Sequence, residues 1–90
     1  MIRCHVFVSG LVQGVFYRAF TQENAEKLGL TGFVRNMYDN RVEAVVEGEE
    51  YKIKELLNIL RKGPSGSNVS NLDVKWEQAR NEFNSFEIRI

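Results

Sequence analysis

Residues Gly10 to Arg18 read GLVQGVFYR, and what this stretch joins decides the fold. Upstream, Ile2 to Ser9 alternates Ile2, Cys4, Val6 and Val8 against Arg3, His5, Phe7 and Ser9. That is the period of a central strand with one face in a core. Downstream, Arg18 to Leu28 holds no helix breaker and sets Ala19, Phe20, Ala25 and Leu28 on an apolar side. Gly29 follows as a C-cap, so the segment reads as a helix. The quoted stretch is therefore a strand-to-helix loop. A plain turn needs one glycine, yet this one has two, plus an amide side chain and an aromatic pair ahead of an arginine.

The same tests carry along the chain. Phe33 to Tyr38 and Arg41 to Glu47 flank Asp39 and Asn40, which both tolerate positive φ and predict a two-residue hairpin turn. In the second strand Val42, Ala44 and Val46 share one face, and Arg41, Glu43 and Glu47 are expected in water. Ile53, Leu56, Leu57 and Leu60 fall at i, i+3, i+4 and i+7, a second helix. Glu49 and Glu50 precede it, and Arg61, Lys62 and Gly63 close it, matching the helix dipole at both ends. GPSGSNVS, Gly63 to Ser70, is a loop by composition. Leu72, Val74 and Trp76 then alternate with Asp73, Lys75 and Glu77, and Phe86, Ile88 and Ile90 with Glu87 and Arg89. The order is β-α-β-β-α-β-β. Two split βαβ units predict an α/β sandwich of the α+β kind, with an antiparallel or mixed sheet, both helices on one face and the other face wet.

Ninety residues make one domain, 1–90, and a hydrophobic content of 43% is ample for its core. Twelve basic and twelve acidic side chains cancel, which argues against coating nucleic acid or an anionic membrane. A small local anion site is still allowed. Cys4 is the only cysteine, so neither an intrachain disulfide nor a thiolate metal cluster can form. No run approaches the ~18–20 apolar residues of a membrane span, and MIRCHVFVSG is too polar for a secretory signal. A soluble cytoplasmic monomer is expected.

The loop itself suits an anion. Where a strand feeds a helix, main-chain N–H groups lack intrahelical partners and the dipole is positive. Gly10 and Gly14 let successive N–H groups converge into a nest, and Arg18 adds a permanent charge with a fork suited to phosphate oxygens. Neither G-x-x-x-x-G-K-[ST] nor G-x-G-x-x-G is present. The competing reading of these residues is a bare turn with an exposed arginine.

GLVQGVFYR resembles the signature of the acylphosphatase family, G-x-V-Q-G-V followed two residues later by arginine. A second stretch, GFVRNMYDNRVEAVVEG, is similar to that family's other signature through Gly32, Phe33, Val34, Arg35, Asn36, Val42 and Gly48. It departs at Asn40, where glycine is usual, and asparagine is the next best residue for a left-handed turn. The resemblance spans essentially the whole chain. It implies a ferredoxin-like βαββαβ sandwich with a short extra C-terminal strand that hydrolyses the mixed anhydride of a carboxylic acid and phosphate. It also implies that Arg18 binds phosphate and Asn36 positions the attacking water. The amides of Gln13, Gly14, Val15, Phe16, Tyr17 and Arg18 form the cradle, and no metal or organic cofactor is needed.

Other candidates take plainer readings. His5, Cys4 and Trp76 are expected to be structural, Phe16 and Tyr17 to pack the loop into the core, and Arg35 to face solvent. Two rival functions stand beside the hydrolase. An RNA-recognition module shares the element order but needs strand aromatics and net positive charge. A catalytically silent phosphate-binding or regulatory domain needs only the nest and Arg18, and turnover of a simple acyl phosphate separates it from the enzyme.

Overall fold

The alternating run at the start forms β1 (Ile2–Leu11) in the computed structural model, which describes residues 1–90. The remaining elements are α1 (Tyr17–Lys27), β2 (Thr31–Asn36), β3 (Val42–Gly48), α2 (Glu50–Lys62), β4 (Asn68–Gln78) and β5 (Phe86–Arg89). The strands make one sheet in the order β4-β1-β3-β2-β5. Neighbours are antiparallel except β2 and β5, which run parallel. The sheet is therefore mixed, and β1 is an interior strand one place from the edge, with β3 at the centre.

Register explains the layers. Cys4, Val6 and Val8 lie opposite Val46, Ala44 and Val42, and Val34 lies opposite Ala44, so one face of three strands is apolar. Both helices cover that face. α2 inserts Ile53, Leu56, Leu57 and Leu60, the predicted stripe, and these are buried with the sheet residues in one core cluster. Each such side chain contributes about 1.5–3 kcal/mol on burial. α1 buries Ala25 and packs Phe20 and Leu28 partly against the core as expected, but it also buries Tyr17 and Thr21 and leaves Ala19 exposed. The reason is its starting point: the helix begins at Tyr17, whose ring is the inward anchor and whose hydroxyl donates to the Leu60 carbonyl at 2.6 Å.

Several boundaries move. β1 runs on through Gly10 and Leu11, because Val69 and Asn68 of β4 pair with them past a bulge at Ser9 and Gly10. Gly10 is required there: its φ is +122°, and a Cβ would collide with the Asn68 carbonyl. The loop after α2 is shortened by the same pairing. The hairpin between β2 and β3 is wider than two residues, since β2 ends at Asn36 and Met37 N donates to the Arg41 carbonyl at 2.8 Å. Asn40 does take the left-handed conformation, at φ 72°.

The second sheet face is wet only in part. Glu43 and Glu47, expected in water, are both buried. The chain between β4 and β5 folds over this face: Arg80 N and Asn81 N donate to the Glu47 carboxylate at 2.7 and 3.0 Å, and Arg3 Nε at 2.8 Å. Phe83 packs edge-on against Phe33 with centroids 6.0 Å apart, and the Arg3 and Arg89 guanidinium groups lie over these rings. Alternation assigned the face correctly but carried no sign of the cover.

Candidate active site

The loop from Val12 to Phe16 leaves β1 and delivers the chain to the N-terminus of α1. None of its five main-chain N–H groups donates to a main-chain carbonyl, and no side chain caps the helix. The first turn of α1 holds no acidic residue, so nothing in the chain occupies the positive end of the dipole. Gly14 takes φ 74° and Phe16 φ 62°. Two left-handed residues so close together curl the loop into a concave run of amides. Phe16 carries the strain of that conformation with its ring 85% exposed, against the expectation that it packs inward. Tyr17 does pack inward.

Gln13 ties this loop to the rest of the site. Its Nε2 donates to the Met37 and Arg41 carbonyls, both at 2.9 Å, on the two sides of the β2–β3 turn. Asn36, the residue before Met37, closes β2 on the helix-covered face of the sheet, opposite Val42. Its Oδ1 is the one buried side-chain polar atom in the protein without a hydrogen-bond partner. Buried acceptors are nearly always satisfied, so an orphan is a functional signal.

Loop, helix and strand meet around a hollow of about 300 Å³, walled by Val12, Gly14, Phe16, Arg18, Asn36 and Ile88 among others. Arg18 is the only charged residue lining it. The guanidinium is anchored by one long bond, Nη1 to the Arg89 carbonyl at 3.3 Å. Arg18 and Asn36 also wall an adjoining hollow of about 380 Å³, completed by Arg35, Met37, Tyr38 and Ile90. Of the sequence-predicted residues, Arg18, Asn36, Gly14, Phe16 and Tyr17 line one space sized for a small ligand, and Gln13 and Val15 lie outside its lining.

Arg35 keeps a part-exposed side chain, as read from the sequence, but it is also paired. Its Nε is paired with Glu43 Oε1, and Glu43 Oε2 lies 2.6 Å from His5 Nε2. Burial opposes ionisation of Glu43, but the bonds from His5 and Arg35 outweigh it and hold the carboxyl below its ordinary range. This chain of side chains runs from β1 through β3 to the rim of the adjoining hollow. Strand periodicity placed all three on one face and gave no signal that they would pair. Cys4 is a core residue as expected, and burial pushes its thiol up to about 12. Burial likewise raises Tyr17, which stays a neutral donor. No three His, Cys, Asp or Glu side chains are grouped as metal ligands.

The acylphosphatase family model matches residues 4–88 of this chain. The chain belongs to the acylphosphatase family. It is 46% identical over 89 residues to an acylphosphatase of Pyrobaculum calidifontis, covering 98% of this chain and 81% of that relative. An acylphosphatase of Syntrophobacter fumaroxidans is 49% identical over 86 residues, 96% of this chain and 89% of the relative. The crystal structure of acylphosphatase from Bacillus subtilis has the same ferredoxin-like α+β fold, with a TM-score of 0.97 at 32% identity and both chains covered in full. This acylphosphatase is accordingly a hydrolase of small acyl phosphates. No helix in it is long and apolar enough to cross a membrane.

Proposed function

We propose that the β1–α1 loop, Arg18 and Asn36 carry out this hydrolysis by direct attack of water on phosphorus. The observation that carries the reading is the orphaned Asn36 Oδ1, set in the wall of a largely apolar hollow that also holds the Arg18 guanidinium and the loop residues Gly14 and Phe16. The N–H groups of Gln13, Gly14, Val15, Phe16, Tyr17 and Arg18 cradle the phosphoryl oxygens, and Arg18 neutralises their charge. The long Arg18–Arg89 bond is a resting contact that a doubly charged ligand displaces. Asn36 Oδ1 accepts a hydrogen bond from water and turns a lone pair of that water toward phosphorus. A neutral amide suits the task, since a carboxylate beside a phosphate dianion would meet like-charge repulsion.

As the new P–O bond forms, the bond to the acyl oxygen breaks and the proton released by the water passes to a phosphoryl oxygen, leaving a carboxylate and dihydrogen phosphate. The conjugate acid of the leaving group has a pKa of about 4, so it departs unprotonated and no general acid is required. The same reading takes residues 1–90 as a single cytoplasmic domain, catalytically complete as one copy and working without metal or organic cofactor. The balanced charge fits a small-molecule substrate. The balance also argues against a nucleic-acid partner.

Hydrolysis of benzoyl phosphate in metal-free buffer, with inorganic phosphate as a competitive probe, tests the assignment. Arg18→Ala should lose at least 10²–10³-fold in turnover, about 3–4 kcal/mol of transition-state stabilisation, and bind phosphate more weakly. Asn36→Ala should abolish turnover while keeping phosphate affinity. A folded variant that retains wild-type activity removes the role given to that residue.

A further inference from the structure

β4 is the longest strand, at 11 residues, and it forms one edge of the sheet with β1 as its only neighbour. Its outer N–H and C=O groups are unpaired, which is the feature that templates strand pairing. Edge strands are commonly guarded by charge, because like charges opposed across a new ladder repel. The charges here are arranged differently. Asp73 and Lys75 lie on the same face, opposite Phe7 and His5 of β1, and flank Val74. Both are exposed, and neither takes part in any of the ion pairs of the protein.

On the other face, Leu72 and Trp76 flank the same Val74, opposite Val8 and Cys4. Trp76, expected to be structural, sits at this edge and is 39% exposed. Leu72 packs partly against the core from the inner side. Val74 is therefore the centre of a self-complementary pattern.

We propose that β4 pairs with β4 of a second copy, antiparallel about a two-fold axis at Val74. A two-fold axis normal to a sheet pairs residues whose numbers have a constant even sum, so Val74 faces Val74. Asp73 of each copy then faces Lys75 of the other, and Leu72 of each faces Trp76 of the other. Directly opposed side chains have Cβ atoms about 4.5–5.5 Å apart, close enough for two ion pairs on one face and three apolar pairs on the other. Moving the axis to Asp73 or Lys75 sets like charges against each other. The result is a continuous ten-stranded sheet with isologous contact. Only strand edges and these five side-chain pairs meet, so the dimer is weak and populated between about 10 µM and about 1 mM chain. The site lies at the β2 and β5 side of the sheet, so turnover per chain is unchanged by association.

Sedimentation velocity across that concentration range, with circular dichroism to confirm folding, tests the proposal. Wild type should convert from monomer to dimer. Lys75→Asp alone and Asp73→Lys alone should each remain monomeric, because each opposes like charges twice. The two variants mixed in equal amounts should form a heterodimer, and D73K/K75D in one chain should restore the homodimer. A wild-type monomer at the highest concentration overturns the proposal, as does a dimer that survives Lys75→Asp.

Discussion

Asn36 and Glu47 are both buried acceptors in the sheet, and the protein treats them oppositely. Glu47 receives Arg3 and two main-chain N–H groups, and Asn36 Oδ1 receives nothing. Removing Glu47 leaves the buried Arg3 guanidinium with only the half-exposed Glu82 as an ionic partner and strands the Arg80 and Asn81 N–H groups. Glu47→Ala should therefore cost about 3–5 kcal/mol of stability, read from urea unfolding midpoints. Asn36→Ala removes an unsatisfied acceptor, so its stability should match or exceed wild type even as turnover vanishes. Equal destabilisation of the two variants would contradict this contrast. The pair also marks what one sequence yields at this scale. Arg18 could be singled out because its chemistry and its place at the head of a helix suit an anion, whereas Asn36 was marked only by the resemblance of its stretch to a family signature. Glu43 and Glu47 were misread because a period of two says which face a residue occupies and nothing about whether a distant loop covers that face. Phe16 was misread because exposure there follows from a left-handed φ that composition does not announce.

At the scale of elements, the site is the meeting of a loop and a hairpin far apart in sequence, and Gln13 is the fastener. Its amide bridges the Met37 and Arg41 carbonyls, which themselves belong to the turn after Asn36. Gln13→Leu keeps the bulk and removes both donors. The loop then loses its fixed distance from Asn36, and misplacement of this kind costs about 10- to 100-fold in turnover. The loss should fall on kcat more than on KM or on inhibition by phosphate, because the amide cradle and Arg18 stay within one segment. A KM effect with unchanged kcat would place Gln13 in binding instead. Element existence, order and type were legible because each helix and strand carries its own period and punctuation. The ends of β1 and β4 were not. Gly10 and Leu11 read as loop until Asn68 and Val69 are seen to pair with them, and pairing between such distant positions is a tertiary fact.

For the whole molecule, buried titratable groups on the two sheet faces set opposite limits on stability. On the face covered by the β4–β5 segment, burial opposes ionisation of Glu43 and Glu47. Their hydrogen bonds prevail, and both stay below the ordinary 4.5. The unfolded chain thus takes up protons first as pH falls. The stabilisation is complete above the unfolded value and is lost as pH drops through the lower folded values. In the core, burial raises Cys4 from 9.0 to about 12 and raises Tyr17 from 10.0. Here the unfolded chain loses protons first. Stability is full below pH 9.0 and falls as pH rises, by about 1.4 kcal/mol per unit for each group once its unfolded form is ionised. Unfolding free energy against pH should therefore be flat between about 5 and 9, with a descending limb on either side. Cys4→Ala separates the contributions. It should lower the plateau by the packing it removes, yet delay the onset of the alkaline limb by about one unit, to where Tyr17 takes over. Chemical denaturation of both chains from pH 3 to pH 11 measures this, and an unchanged alkaline onset in the variant would assign the limb to other groups.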